Sequence, residues 1–417
     1  MSEELLDHRG RPRIAVTGMG IKCPAGTDLD SVWATMRAGK SMAATIDLFD
    51  ASILEVQFAC QVPAEFDPVD YFGPKEARRQ DRVTHLGFGA AADAIEHAGE
   101  LGADPERCAV VAATGVGGLT TLEENCHIFY EKGPSRVSPF FVPMMMPNAT
   151  AGVISMRYGF TGPAFCVSTA CAAGTNAIGE GARLIRDGSA DVVVAGGTEA
   201  FTAVTVAAFA RMGALSKRND DPASASRPFD VDRDGFVIAE GAAFLVLEPM
   251  ARALGRGATI HGEVAGYGRN SDAYHITAPS PGGVGAARCM QMALDDAGLD
   301  PSEIGHVNAH GTSTELNDAA EAEAIRKVFG DVPPPVTAPK GVLGHMIGGA
   351  GAAEAVISLL AMRDELLPPT ANLTTIAEDI ALDVVHGSER VITSKPAISN
   401  SFGFGGHNAS LVLRRVG

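Results

Sequence analysis

Short runs dense in valine, isoleucine and alanine recur along the first half of the chain: IAVTGMG at 14–20, CAVVAATGVGG at 108–118, DVVVAGGTEA at 191–200 and AAFLVLEP at 242–249. Most of them stop at glycine. Runs rich in Val, Ile and Ala and bounded by turn residues read as strands. Between them, 75–98 and 171–187 place apolar residues at helical spacing and predict helices. Strands alternating with helices in this way are the α/β pattern.

The second half repeats the plan, with TIHGEVAGYG at 259–268, IGHVNAHGTST at 304–314, PAISNSFGFGG at 396–406 and ASLVLRRV at 409–416. Helices are predicted near 285–297, 318–328 and 350–364. Each half closes on a similar strand, FLVLEPM at 244–250 and SLVLRRV at 410–416, which suggests an internal duplication joined near 250–258. The alternative is that any α/β chain looks repetitive at this level. Residues 119–165 interrupt the first half and bring Phe140, Phe141 and Met144 to Met146 close together, an insert suited to capping a pocket or a subunit interface.

Composition narrows the function. A formal charge of -17 argues against nucleic acid or an anionic membrane as the main partner, because phosphate binding needs a basic surface. No run of eighteen apolar residues occurs, and MSEELLDHRGRPR lacks the features of a signal peptide, so the expected location is cytoplasmic. Seven cysteines, odd in number and without a CxxC, point to reduced thiols and to neither a disulfide framework nor a zinc site.

Candidate chemistry sits where predicted strands turn into helices. In FCVSTACAAGTNAIGEGARLIRDG (165–188) a β-branched run meets a turn of small residues and then a helix. That places Cys171 at a helix N-terminus, where unpaired N–H groups stabilise a thiolate and lower its pKa without an adjacent base. A buried structural cysteine is the other reading. VNAHGTSTELND (307–318) puts His310 at a strand end beside Thr312 and Thr314, and APKGVLGHMIGGAGAAEA (338–355) puts Lys340 and His345 ahead of a glycine-rich helix start. Alone, each histidine is more often a satisfied structural group. Together, two neutral imidazoles would stabilise an oxyanion, whereas zinc needs further ligands that this spacing does not provide. SNSFGFGGHN (399–408) lets backbone approach a ligand, with the Phe404 N–H available as a donor. GMGIKC at 18–23 lacks the third glycine of a dinucleotide loop.

STACAAG, NAHGTST, KGVLGHMIGGAGAAE and NSFGFGGHN, in this order and spacing, resemble the β-ketoacyl-acyl-carrier-protein synthase II type of condensing enzyme, of the thiolase superfamily. The resemblance extends over nearly the whole chain. It implies a duplicated thiolase-like α/β fold of five layers, αβαβα, working as a dimer. The halves would be 1–255, carrying the nucleophilic cysteine, and 256–417, carrying the two catalytic histidines. By matching position, Cys171 would accept the acyl group, with its own N–H and that of Phe404 as oxyanion hole. His310 and His345 would hold the malonyl carbonyl as it becomes an enolate, and Lys340 would tune their charge. Glu354 would be a buried acid that in some relatives helps Asn308 and Ser399 hold a sodium or potassium ion; no catalytic metal or cofactor is implied.

The same resemblance implies an acyl pocket lined by Val116 and Phe209, gated by Phe402 or Phe404 and completed by Phe141 of the other subunit. Thr277, Thr312 and Thr314 would bind the pantetheine amides. The acidic carrier protein would dock on Lys75, Arg78, Arg79 and Arg136. One carrier-facing arginine of the family falls on Gly213, and the family's GTSTPxGD reads GTSTELND here, closer to type II polyketide ketosynthases. Fatty acid and polyketide elongation both remain open, as do a homodimer and a heterodimer with a chain-length factor. A thiolase would need a second cysteine where NSFGFGGHN stands, and a non-catalytic chain-length factor would lack Cys171.

Overall fold

The apolar runs form ten strands in a computed structural model that describes residues 5–416; the first four residues of the N-terminal stretch read for a leader lie outside it. In the first half these are β1 (Ile14–Lys22), β2 (Cys108–Ala113), β3 (Ala164–Val167), β4 (Val192–Glu199) and β5 (Gly241–Pro249). The second half supplies β6 (Gly262–Ser271), β7 (His306–Asn308), β8 (Val336–Thr337), β9 (Ala397–Gly403) and β10 (His407–Arg414).

The order across the structure is β8-β7-β9-β10-β6-β1-β5-β4-β2-β3. Each half therefore runs first, fifth, fourth, second, third from the seam outward. Directions repeat as well: β5 is antiparallel to β1 and β4, while β2 is parallel to β4 and β3. In the second half β10 is antiparallel to β6 and β9, while β7 is parallel to β9 and β8. Order and direction together establish the duplication that similar closing strands could only suggest. The seam itself is slight, with only Ala15 opposite Glu263 and Val16 opposite Gly262.

Seven helices complete the layers: α1 (Arg82–Ala98), α2 (Leu119–Lys132), α3 (Ala149–Tyr158), α4 (Ala173–Arg186), α5 (Val284–Ala297), α6 (Glu315–Phe329) and α7 (Ala350–Asp364). The middle layer is α4 against α7, with the two halves of the sheet on either side. Every residue of α7 from Ala350 to Met362 is buried, as the predominantly apolar composition of a helix between two sheets requires, with Glu354 and Ser358 as its polar members. On the outer faces α1 covers β1 and β5, and α5 covers β6 and β10.

The GMG of β1 now has a packing reason. A Cβ at Gly18 or Gly20 would meet the Ala94 or Ala90 carbonyl at 2.1 Å, so these glycines let α1 lie flat on the strand. Gly266 and Gly268 of β6 do the same for α5, with carbonyls at 2.2 and 2.1 Å. The helix predicted over 75–98 is in fact two. Val69–Ala77, kinked at Gly73, ends before α1 begins, because Asp81 caps α1 by accepting the Val83 N–H and also holds the Thr121 N–H. No helix among the described residues is long and apolar enough to cross a membrane.

Candidate active site

The nucleophile candidate stands on an elbow. After β3 the chain passes through Ala170 at φ 50, a left-handed conformation rare for a residue with a side chain, into a 3-10 turn, Ala170–Ala172, that leads into α4. Asn176 of α4 steadies the approach by donating to the Thr169 hydroxyl at 2.7 Å. From the other half, His310 lies two residues beyond β7, its N–H and that of Gly311 each donating to buried Glu321 at 2.8 Å. His345 follows the short helix Lys340–Leu343 and donates its N–H to the Val237 carbonyl at 2.7 Å.

These elements bring the Cys171 sulfur and ring nitrogens of His310 and His345 within 4.8 Å of one another, all three side chains buried. His345 Nε2 is 3.0 Å from Cys171 Sγ. The two imidazoles meet edge to face with centroids 5.4 Å apart.

Their partners set the tautomers. The Ile347 N–H, which can only donate, points at His345 Nδ1 at 3.2 Å, and the Lys340 ammonium, also only a donor, is 3.2 Å from His310 Nδ1. In both neutral rings the proton therefore resides on Nε2. Burial, reinforced by the Lys340 charge, holds both imidazoles well below their ordinary range, with His345 adding to the effect on His310. The site thus presents two uncharged N–H donors.

The thiol departs from expectation. Burial pushes Cys171 up to about 11, against the lowering influence of Lys340 and of the Phe404 and Cys171 N–H groups. The turn's donors reach the sulfur, yet desolvation outweighs them, so the resting group is a thiol rather than the low-pKa thiolate expected of a helix N-terminus. An adjacent imidazole is present after all.

Lys340 joins the histidines to a buried acid. Its ammonium donates to the His310 carbonyl at 2.6 Å and to Glu354 at 2.5 Å. Burial pushes Glu354 up to about 7, although Lys340 opposes it. Asn308 donates to Ser399 at 3.0 Å, while Asn308 Oδ1 and Glu354 Oε2 are buried acceptors without a hydrogen-bond partner. Each is an oxygen of the hard-donor type that a monovalent cation takes.

A cavity of about 590 Å³ opens over the triad. Val116, Phe209, Phe402, Phe404, Thr277, Thr312 and Thr314 all line it, as do Leu316 and Asn317 of the departing GTSTELND stretch. The Thr312 and Thr314 hydroxyls are 2.9 Å apart. Phe141, on the short helix Phe141–Met145, does not line the cavity of its own chain. Lys75, Arg78 and Arg136 are exposed outside it, and Arg79 pairs with Glu76 at 2.8 Å with its guanidinium 4.9 Å from the Phe140 ring centroid. Gly213 lines the cavity and leaves its rim without a cation at that position.

Sequence reasoning missed two buried carboxylates, Glu321 behind His310 and Glu199 at the end of β4. Glu199 accepts N–H groups from Gly115 and Gly348 and the Thr114 hydroxyl.

Residues 11–253 match the family model for the beta-ketoacyl synthase N-terminal domain, and residues 261–374 match that for its C-terminal domain. Among curated relatives, the 3-oxoacyl-[acyl-carrier-protein] synthase 2 of Synechocystis sp. is 44% identical over 97% of this chain and 98% of its own. Among solved structures, the ishigamide ketosynthase/chain length factor superposes with a TM-score of 0.92 at 35% identity, covering 98% of this chain and 100% of that one. A ketosynthase bound to the hexaketide, in complex with its type II PKS acyl-carrier protein, gives 0.90 at 31% identity over 97% and 100%.

Proposed function

This chain belongs to the beta-ketoacyl synthase family and is an acyltransferase with 3-oxoacyl-carrier-protein synthase condensing activity; from that premise we propose how its residues divide the reaction. The division at 255/256 is part of the proposal, one half bringing the nucleophile and the other the two imidazoles.

In the first step Cys171 gives up its proton and attacks the acyl thioester on the carrier's phosphopantetheine arm. The N–H groups of Cys171 and Phe404 hold the oxyanion, and the thioester bond breaks. The pantetheine thiol leaves with the proton, and the acyl group remains on Cys171. His345 Nε2–H, 3.0 Å from the sulfur, supports this step as a donor to the developing thiolate.

In the second step a malonyl thioester takes the carrier arm's place. Its carbonyl accepts from Nε2–H of both His310 and His345; the bond to the carboxylate breaks, carbon dioxide departs, and the electron pair becomes an enolate on that oxygen. The enolate carbon attacks the acyl carbonyl, Cys171 is expelled as a thiolate and takes a proton from solvent, and a fatty acyl or polyketide chain leaves two carbons longer. The tautomers carry this reading, since both rings have their protons on the nitrogens not held by Ile347 and Lys340.

Asn308, Glu354 and Ser399 would hold a monovalent cation whose charge steadies the ionised acid behind Lys340. Thr277, Thr312 and Thr314 would bind the pantetheine amides, and Lys75, Arg78, Arg79 and Arg136 would receive the acidic carrier. A second subunit, a copy of this chain or a chain-length factor, would add its Phe141 to the acyl wall of Val116 and Phe209, with Phe402 and Phe404 as gate.

Intact-mass spectrometry with acyl-carrier primers of graded length, followed by malonyl carrier, tests the scheme. We expect an acyl adduct lost in Cys171→Ala and converted to a β-ketoacyl carrier. A folded protein that forms no adduct with any primer would instead be the non-catalytic subunit.

A further inference from the structure

Glu199 has no part in the chemistry just described, and its surroundings are unusual for a carboxylate. It ends β4 at 3% exposure, and among the described residues no lysine or arginine forms an ion pair with it. Three donors converge on it instead: the Gly115 N–H at 2.7 Å, the Gly348 N–H at 3.0 Å and the Thr114 hydroxyl at 3.0 Å. A buried carboxylate without a cation persists only where such donors replace water.

The two amides come from different segments. Gly115 precedes Val116 in the cavity wall, and Gly348 follows Ile347, another wall residue, three positions after His345. Space is closed on both sides. A Cβ at Gly115 would meet Glu199 Oε2 at 2.6 Å, and one at Gly348 would meet the Gly115 nitrogen at 2.4 Å. Ile347 is held at φ 41, a strained state for a β-branched residue that its neighbours must maintain.

The duplication explains the location. The 3-10 turn Ile347–Gly349 leads into α7 as Ala170–Ala172 leads into α4, and its first residue, like Ala170, has a positive φ. Gly348 then stands where the other half has Cys171. Likewise Ala113-Thr114-Gly115 leaves β2 as Ala309-His310-Gly311 leaves β7, so Thr114 answers to His310. Glu199 therefore sits in the counterpart of the catalytic centre.

We infer that Glu199 is a positioning residue, a clamp that ties the Val116 segment of the acyl wall to the turn following His345 and thereby sets which acyl chains load onto Cys171. The inference rests on the acyl-cavity reading above. Burial pushes the carboxyl up to about 7, with Gly348, Gly115, Thr114 and Val116 opposing, and its charge is among the influences holding the Cys171 thiol up.

Glu199→Gln keeps the shape but leaves one neutral oxygen to accept from both amides, its NH2 facing the Thr114 hydroxyl, which must turn to accept, and Thr114→Val removes a single hydroxyl. Acylation is followed by intact mass with long and short acyl-carrier primers, beside iodoacetamide alkylation of Cys171, which needs no acyl wall. Because a hydrogen bond to a charged acceptor is worth roughly tenfold more, in equilibrium terms, than one to a neutral acceptor, Glu199→Gln should lower the long-to-short selectivity about 10-fold, and Thr114→Val, which loses one bond outright, should lower it several-fold. Alkylation should be undiminished, and faster in Glu199→Gln, where the opposing charge is gone. Equal losses for all primers, or unchanged selectivity in both folded variants, overturns the clamp. Should Glu199→Gln not fold, the Thr114→Val ratio decides. A wild-type protein that alkylates but never acylates overturns the underlying cavity reading and the clamp with it.

Discussion

Lys340→Met removes a cation that touches His310 Nδ1 at 3.2 Å, the His310 carbonyl at 2.6 Å and Glu354 at 2.5 Å, with little change in side-chain volume. Both ends of the ion pair are buried, at 2% and 1% side-chain exposure. Removing one partner of such a pair costs about 3–5 kcal/mol when the other stays charged. Glu354 can escape by binding a proton, so the cost depends on pH. Its folded value is about 7 against an ordinary 4.5, so the native state holds the proton more tightly than the unfolded chain. Stability is then highest below the unfolded value and falls as pH rises through the folded one, by about 3 kcal/mol in total. Without Lys340, which opposes the upward shift, that loss deepens and extends to higher pH. Thermal unfolding of the variant should match wild type near pH 5 and fall by several degrees at pH 8. Malonyl decarboxylation should drop on the order of 100-fold at either pH, because nothing then fixes the His310 tautomer. The double variant Lys340→Met, Glu354→Gln buries no charge and should regain stability without regaining decarboxylation. Wild-type stability at both pH values, or a double variant with restored activity, would refute the assignment of Lys340.

Iodoacetamide should alkylate Cys171 about tenfold faster per pH unit between 7 and 9, since the thiol is held near 11; a plateau below pH 8 would mean a preformed thiolate. Val116→Phe narrows the cavity wall and should shift the best-loaded primer to a shorter chain, whereas unchanged selectivity would remove Val116 from the pocket. Arg78→Glu with Arg79→Glu should raise the apparent KM for carrier-borne substrates while sparing a pantetheine mimic, and equal effects on both would move the docking face elsewhere.

Much of the sheet was legible because strands such as β4 and β5 are buried on both faces and carry apolar runs, the VVV of β4 and the FLVL of β5. Helix α7 was legible because most of its length is apolar. The join between Val69–Ala77 and α1 was not, since Asp81 is one acid among many in an acidic chain, and only its contacts to Val83 and Thr121 show it to be a cap. Glu199 and Glu321 were hidden similarly: what singles them out is burial and converging amides, which exist only once distant segments meet. The Cys171 elbow could be placed from its small neighbours. Its acidity could not, because a helix terminus is local whereas desolvation is a property of the finished fold.

The strands of the two halves pair in register at only two positions, so α4 and α7 must help keep the halves in register. At Gly174 a Cβ would meet the Gly348 carbonyl at 2.8 Å and the Ala352 nitrogen at 2.9 Å, leaving no room for a larger residue at that crossing. The ribosome releases Cys171 long before His310 and His345 exist. Until α7 docks, the nascent protein displays an ordinary thiol with no imidazole beside it and cannot intercept carrier-bound acyl groups. Catalytic competence is therefore a late property of synthesis, reached when the last strand closes over the nucleophile's own helix.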